Sequence, residues 1–165
     1  MAWTTPGTAT AGEVLTAAFW NTQVRDNMVE LAPFFATWTS FTPTLTNVTV
    51  GNGTHNARYL KIGRLVIVNY EFTLGSTSSV AGAPVFSLPF SASGPLFAGQ
   101  VEFLDTGTAR YTGMVEAENS GSGVVCQAVS ASGSYTVQVA PTATIPFTWT
   151  NGDKILVGII YMSAT

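Results

Sequence analysis

The fold of this chain is decided by residues 56–75, which read NARYLKIGRLVIVNYEFTLG. After Gly63, every second residue from Val66 to Leu74 is large and apolar, so these side chains share one face of an extended strand. The residues before Gly63 alternate in the same way, and a glycine between two such runs is typical of a tight turn. The stretch therefore predicts two strands that meet at Gly63 and set the register of a larger sheet.

The same two-residue period recurs over most of the chain that follows. Segments bounded by Gly, Pro, Asn or Ser are predicted as strands at 43–50, 57–62, 65–74, 84–90, 96–104, 108–118, 124–130, 135–140, 145–149 and 154–162. No helical pattern separates them, so the sheet is expected to be antiparallel. The fold class is therefore predicted as mainly β: an antiparallel β-sandwich or jelly roll preceded by one N-terminal α-helix.

The end of the chain is predicted as a hairpin. The last predicted strand is apolar on both faces from Ile155 to Met162, so it should lie at the centre of the sheet or beneath another subunit. Residues 145–149 are expected to precede it in the hairpin, because Asn151 and Gly152 suit a type I′ turn, which requires positive φ.

A helical period precedes the strands. Thr10 and Glu13 have the spacing of a capping box, which predicts a helix over residues 11–31, and Pro33 should end it. Apolar residues recur along this helix every three or four positions and form one stripe: Val14, Ala17, Trp20, Val24, Met28 and Leu31.

Two interpretations of this stripe stand. The helix either packs on the core of its own domain or serves as an assembly interface, and its periodicity is the same in both cases. We favour the assembly interface, because a chain this rich in strands has little other use for one helix. Residues 1–40 are accordingly predicted as a helical assembly segment and residues 41–165 as a β-sandwich domain.

The composition indicates a protein whose surface is covered in an assembly. Charged residues make up 9% of the chain, against about 25% in ordinary soluble domains. A weakly charged surface resists association poorly, which favours a coat of identical copies or a larger particle. The net charge of −3 argues against nucleic-acid binding, which needs a basic surface to neutralise phosphates. We expect neither a signal peptide nor membrane insertion.

The residues that carry chemistry are too few and too scattered to predict an enzyme. One His and one Cys cannot form a clustered metal site, and no cofactor motif is present. Cys126 lies among apolar residues and is expected to be a buried thiol. Glu116 and Glu118 share a strand face with Arg110, so a solvated polar face explains them better than a pair of glycosidase carboxylates. We therefore predict no catalytic, metal-binding or cofactor-binding residues.

The segment 55–64 concentrates four residues that suggest a site: His55, Arg58, Lys61 and Arg64. Strand alternation should separate them, since Arg58 and Lys61 fall on opposite faces and Arg64 falls in the turn. His55 is expected in an exposed loop. The four remain candidates for surface contact rather than for catalysis.

A carbohydrate-binding module is the alternative function. Sugar rings stack on exposed aromatic side chains, and this chain offers Trp38, Tyr59, Tyr111 and Trp149. The competing interpretation places each of them in the core, because aromatic residues favour strands and bury large areas.

A series of motifs resembles bacteriophage virion structural proteins. The β region contains W-T-x-F-T-P-T-L at 38–45, R-Y-x-K-I-G-R-x-V at 58–66, SLPF at 87–90 and W-x-x-G-D at 149–153. In this order the motifs are similar to the β-sandwich knobs of tail fibres and head fibres. Residues 2–28 are similar to the start of small minor tail proteins of phages that infect Gram-positive hosts.

The resemblance implies a non-enzymatic homotrimer, docked by its N-terminal segment, with a β-sandwich on the particle surface. Its role would be host attachment at a tail tip or fibre, or decoration of the capsid. The expected partners are copies of itself, other virion proteins of the tail or capsid and a host-surface glycan. The expected location is the virion, after synthesis in the host cytoplasm.

Overall fold

A computed structural model describes residues 5–8, 10–14, 16–32, 37–94, 98–117 and 121–165. The chain divides into two compact units, a helical unit (Met1–Thr37) and a β unit (Trp38–Thr165). The predicted fold class is confirmed, since the molecule is mainly antiparallel β with one N-terminal helix. Among the described residues, no helix is both long enough and apolar enough to cross a membrane.

The helix consists of three consecutive parts: α1 (Ala17–Trp20), a π-helical segment (Asn21–Asp26) and α2 (Asn27–Leu31). Its N-cap is Thr16, whose hydroxyl accepts a hydrogen bond from the backbone N–H of Phe19 at 3.1 Å.

The predicted helix start at residue 11 is wrong. Thr10 and Glu13 do make part of the expected capping contacts, because the N–H of Thr10 donates to Glu13 Oε2 at 3.1 Å. Gly12, however, has a φ of +87°, which no right-handed helix can contain. The capping box therefore closes an isolated turn, and Val14 lies before the helix rather than on it.

The described residues of the β unit form ten strands: β1 (Thr39–Phe41), β2 (Leu45–Thr49), β3 (Thr54–Ile62), β4 (Leu65–Thr73), β5 (Ser79–Ser87), β6 (Ala98–Asp105), β7 (Ala109–Ala117), β8 (Gly123–Ser130), β9 (Val137–Val139) and β10 (Lys154–Met162). They form one curled antiparallel sheet in the order β1-β3-β4-β10-β6-β7-β8-β5-β2, and β9 pairs with β8.

The stretch 56–75 forms the predicted pair of strands. β3 and β4 run antiparallel in unbroken register from Thr54 opposite Thr73 to Ile62 opposite Leu65. Gly63 has a φ of +57° and supplies the conformation that this two-residue turn needs. β10 lies between β4 and β6, which confirms the predicted central position of the last strand.

One face of the sheet, called here the inner face, carries the core. Its largest fully buried apolar side chains come from four different strands: Tyr70, Phe72, Phe86, Phe103, Ile155, Ile159 and Tyr161. Alternate residues on the same strands form the outer face, as the two-residue period requires. The core is therefore closed by the curvature of one sheet, with inner-face side chains meeting across it.

The predicted terminal hairpin is wrong. Residues 145–149 are not a strand, and β10 pairs with β4 and β6 instead. The turn is not type I′ either, because Gly152 has positive φ and Asn151 does not. Phe147 and Trp149 are two residues apart, as in a strand, but they lie in a loop and pack against the core. Their ring centres are 4.5 Å apart. The indole N–H of Trp149 donates to the carbonyl of Thr142 at 2.9 Å.

Candidate functional site

The apolar side of the helix is exposed. Trp20 is 54% exposed, Met28 64% and Val29 49%. Together with Val24, Arg25 and Ala32 these residues line a shallow groove of about 460 Å³, called here the helix groove. Exposed apolar residues that are contiguous, rather than scattered singly, mark surfaces that bind a partner.

The other side of the helix is covered by the chain's own N-terminal residues. The N–H of Gly7 donates to Gln23 Oε1 at 2.6 Å, and Gly7 lies against the ring of Phe19. Asn27, also on this side, is 5% exposed, and its amide donates to the carbonyl of Gln23 at 3.1 Å. The helical unit thus covers one helix face with its own residues and leaves the predicted stripe open.

The π-helical segment decides which residues line the groove. Its i→i+5 hydrogen bonds place more residues in a turn than an α-helix holds, so positions four apart stay aligned. Trp20, Val24, Met28 and Ala32 therefore follow one line. Of the predicted interface residues, Trp20, Val24 and Met28 line this groove.

The other predicted interface residues lie elsewhere. Leu31 is 42% exposed but does not line the groove. Ala17 is the first helical residue, and Val14, 82% exposed, lies before the helix. Uniform 3.6-residue spacing cannot reveal a π-helical segment, so the sequence placed Leu31 in the stripe and left Val29 out of it.

The charge at the rim of the helix groove is compensated locally. The guanidinium of Arg25 lies 2.8 Å from the carboxylate of Asp26, and the side chain of Arg25 is 59% exposed. An exposed pair of this kind contributes little to stability. Its effect is to leave the groove apolar and nearly neutral, which suits an apolar partner surface.

His55 does not lie in an exposed loop, as predicted, but in β3 on the inner face. Its Nδ1 lies 3.1 Å from the hydroxyl of Tyr70, and its ring centre lies 5.2 Å from that of Phe72. Partial burial lowers the pKa of His55 from its usual 6.5. The prediction failed because β3 begins at Thr54 and already pairs His55 with Phe72.

The three cations near His55 diverge, as alternation predicted. Arg58 is exposed on the outer face. The ammonium of Lys61 lies 4.7 Å from the ring centre of Phe90 and donates to the carbonyl of Thr165 at 2.8 Å. Arg64, in the turn, donates to the carbonyl of Ser163 at 2.9 Å and to the hydroxyl of Ser93 at 2.7 Å. Lys61 and Arg64 therefore hold residues 163–165 in place and do not form a common site.

The described residues contain no cluster of three metal-ligating side chains. Cys126 is fully buried in β8, and this burial raises the pKa of its thiol. Glu116 is exposed, and Glu118 lies outside the described residues.

Three of the four aromatic residues considered for sugar stacking pack against the core. Tyr59 makes edge contacts with Phe41 and Phe90, and Tyr111 and Trp149 both pack on Phe147. Trp38 differs, because 44% of it is exposed and it borders a depression on the outer face.

Comparison of the chain with protein-family models, with curated proteins and with solved structures found no match. Function must therefore be inferred from the surfaces themselves. Among the described residues these are the helix groove, which is apolar, and the outer face of the sheet around Trp38, which mixes polar side chains with exposed aliphatic ones.

Proposed function

We propose that this chain is a non-enzymatic structural protein of a bacteriophage particle. It assembles as a homotrimer through its helical unit and displays the β unit on the particle surface. The observation that carries the proposal is the exposed helix groove, in which Trp20, Val24 and Met28 face outward although the chain covers the opposite side of the same helix.

Burial of the groove supplies the driving force for assembly. Removing an apolar side chain of this size from water contributes about 1.5–3 kcal/mol, whereas association costs about 4–15 kcal/mol in lost freedom of motion. One groove in a single contact is therefore marginal. In a closed ring every copy buries Trp20, Met28 and Val29, so the free energy of burial is gained once for each copy. A closed ring is therefore favoured over a single contact between two copies.

The β unit is the part suited to display. It has its own core, and the chain as a whole carries 9% charged residues, a composition that favours a coated assembly over an isolated monomer. The motifs at 38–45, 58–66 and 149–153 support placement on a phage tail tip, fibre or capsid. On this proposal the protein is a virion component, and its partners are its own copies and the neighbouring virion proteins.

The oligomeric state tests the proposal. Sedimentation velocity of the full chain at micromolar concentration should give three times the 17.3 kDa subunit mass. The double variant Trp20→Ser, Met28→Ser should sediment as a monomer with unchanged β-sheet content. Thr22→Ala, an exposed substitution outside the groove, is the matched control and should remain trimeric. A stable wild-type monomer, or a trimer in the double variant, would contradict the proposed interface.

Particle incorporation tests the location. Immunogold labelling of intact phage particles should detect the protein on the tail or the capsid. The groove double variant should be made at normal levels but be absent from purified particles, whereas Thr22→Ala should be incorporated. If the wild-type protein is absent from purified particles, the proposed role in the virion is wrong even if the protein forms a trimer.

A further inference from the structure

The outer face of the sheet holds a depression of about 610 Å³, called here the outer depression, at the centre of β4, β10 and β6. This volume lies within the range of small-ligand sites. The residues that give it chemical character come from separate strands and from the start of the β unit: Trp38, Asn69, Glu71, Gln100, Glu102 and Gly158.

Gly158 opens the floor of this depression. It lies in the middle of β10, the central strand, in unbroken register with Asn69 on one side and Gln100 on the other. A Cβ at this position would meet nothing within 4 Å, and the backbone does not have positive φ. Neither packing nor backbone geometry therefore requires glycine. A glycine inside a strand weakens it and, where no bulge or bend explains it, is found where a ligand or another backbone approaches closely.

Two carboxamides flank this opening. Asn69 and Gln100 are exposed, and within the described part of the chain neither side chain has a hydrogen-bond partner. Each carboxamide presents two N–H donors and one carbonyl acceptor. The same combination of donor and acceptor is needed to bind a hydroxyl group, which also donates and accepts.

The carboxylates of the depression are already paired. Glu71 accepts from the ammonium of Lys154 at 3.0 Å, and Glu102 forms an ion pair with Arg110. Their charges are thus compensated at the edge of the site, which disfavours a cation as the ligand. The carboxylate lone pairs that remain can still accept hydrogen bonds from neutral hydroxyl groups.

Trp38 supplies an apolar platform at one border. Its indole is 44% exposed, directly before β1. An exposed indole presents a large flat apolar surface. A pyranose ring has one face of C–H groups and an edge of hydroxyls, so the indole suits its face while Asn69 and Gln100 suit its edge.

From this geometry we infer that the outer depression binds a neutral saccharide. Trp38 stacks on a sugar ring, Asn69 and Gln100 bind its hydroxyls, and Gly158 lets the ring approach the sheet. Aliphatic side chains of Ile67, Leu156 and Ile160 also line the depression and add apolar surface for the C–H face of the ring. A second copy of this chain is the alternative occupant, and it would bury the unpartnered carboxamides and two ion pairs. The inference is independent of the helix groove.

The test uses the full chain and a glycan array printed with neutral oligosaccharides of glucose, galactose, N-acetylglucosamine and mannose. The strongest hit is then titrated by calorimetry against three variants. Gly158→Val fills the floor, where an added Cβ meets no atom within 4 Å. Trp38→Ala removes the platform, and Thr54→Val places a valine on the outer face away from the depression. Circular dichroism establishes that each variant is folded.

We expect Gly158→Val and Trp38→Ala each to weaken binding at least tenfold, and Thr54→Val to leave it unchanged. No array signal from folded wild-type protein would overturn the inference, as would a Gly158→Val variant that binds normally. If Gly158→Val instead changes the sedimentation of the protein while no saccharide binds, the depression is a contact between copies and the inference is wrong.

Discussion

The helical unit exposes its large apolar side chains, whereas the β unit buries them. Phe72 and Phe103 in the β unit are fully buried, whereas Trp20 and Met28 in the helical unit are more than half exposed. The β unit is complete in a single chain, because its curled sheet folds its inner face onto itself. The helical unit leaves these side chains exposed, and the proposed assembly would cover them.

This contrast has a cause in chain length. The part of the β unit that the structure describes has ten strands, and their inner faces cover one another. The described N-terminal segment that packs on the helix covers only the side of Phe19 and Gln23. An isolated helix of this length is marginal in water, so most of its stability must come from packing. Changes in the two units should therefore have different consequences.

The largest expected effect is a loss of stability in the β unit that a substitution in the helical unit should not cause. Phe103→Ala removes a fully buried ring that packs edge-on against Trp149, and should lower the free energy of unfolding by about 3–5 kcal/mol. Trp20→Ala, studied in dilute monomeric protein, should leave the unfolding of the β unit unchanged. Urea denaturation followed by far-ultraviolet circular dichroism measures both. Equal losses in the two variants would show that the units are not independent.

The next effect separates the two faces of the sheet. A Cβ at Gly113, on the inner face, would lie 2.2 Å from the carbonyl oxygen of Gln127, so Gly113→Ala should cost about 1–3 kcal/mol. Gly158→Ala, on the outer face, meets no neighbour and should be neutral or slightly stabilising. Thermal unfolding of both variants gives the comparison. A destabilised Gly158→Ala would argue against an open depression.

A smaller effect identifies the true start of the helix. Thr16→Ala removes the hydroxyl that caps Phe19 and should cost the helix about 1 kcal/mol, seen as lower ellipticity at 222 nm. Thr10→Ala is the control, because the contacts of Thr10 with Glu13 use its backbone. The melting of the β unit should be the same in both variants. If Thr10→Ala lowers the ellipticity at 222 nm more than Thr16→Ala does, the helix begins at the capping box and not at Thr16.

The smallest effect is a pH dependence inside the β unit. Desolvation lowers the pKa of His55 in the folded state, so the unfolded chain binds the proton first as the pH falls below about 6.5. The contribution of neutral His55 to the free energy of unfolding is fully present above that pH and is lost as the pH falls below it. The melting temperature should fall less between pH 7.5 and pH 5 in His55→Gln than in the wild type. Identical slopes would contradict this.

The sheet could be predicted where alternation and a turn residue agree. The β3–β4 pair and the central β10 follow directly from the buried alternate residues and from Gly63. β5 begins at Ser79 and not at residue 84 as predicted, and it contains both Gly82 and Pro84. They lie opposite a shift in register with β2, and a bulge of this kind accepts proline.

The sites could be predicted only in part. The groove residues Trp20, Val24 and Met28 are local in sequence, so periodicity found them. The outer depression was not foreseen, because Asn69, Gly158 and Gln100 become neighbours only through the pairing of β4, β10 and β6. Their types are ordinary for a polar strand face, and no spacing in the sequence joins them.

The single cysteine can report how often the sheet around it opens. Cys126 is fully buried under the inner face of β8, and its raised pKa keeps the sulfur protonated and unreactive. A thiol reagent in the surrounding solution therefore modifies a chain only when the sheet around β8 comes apart. The rate of labelling counts those openings, so it measures the kinetic persistence of the β unit without an introduced cysteine.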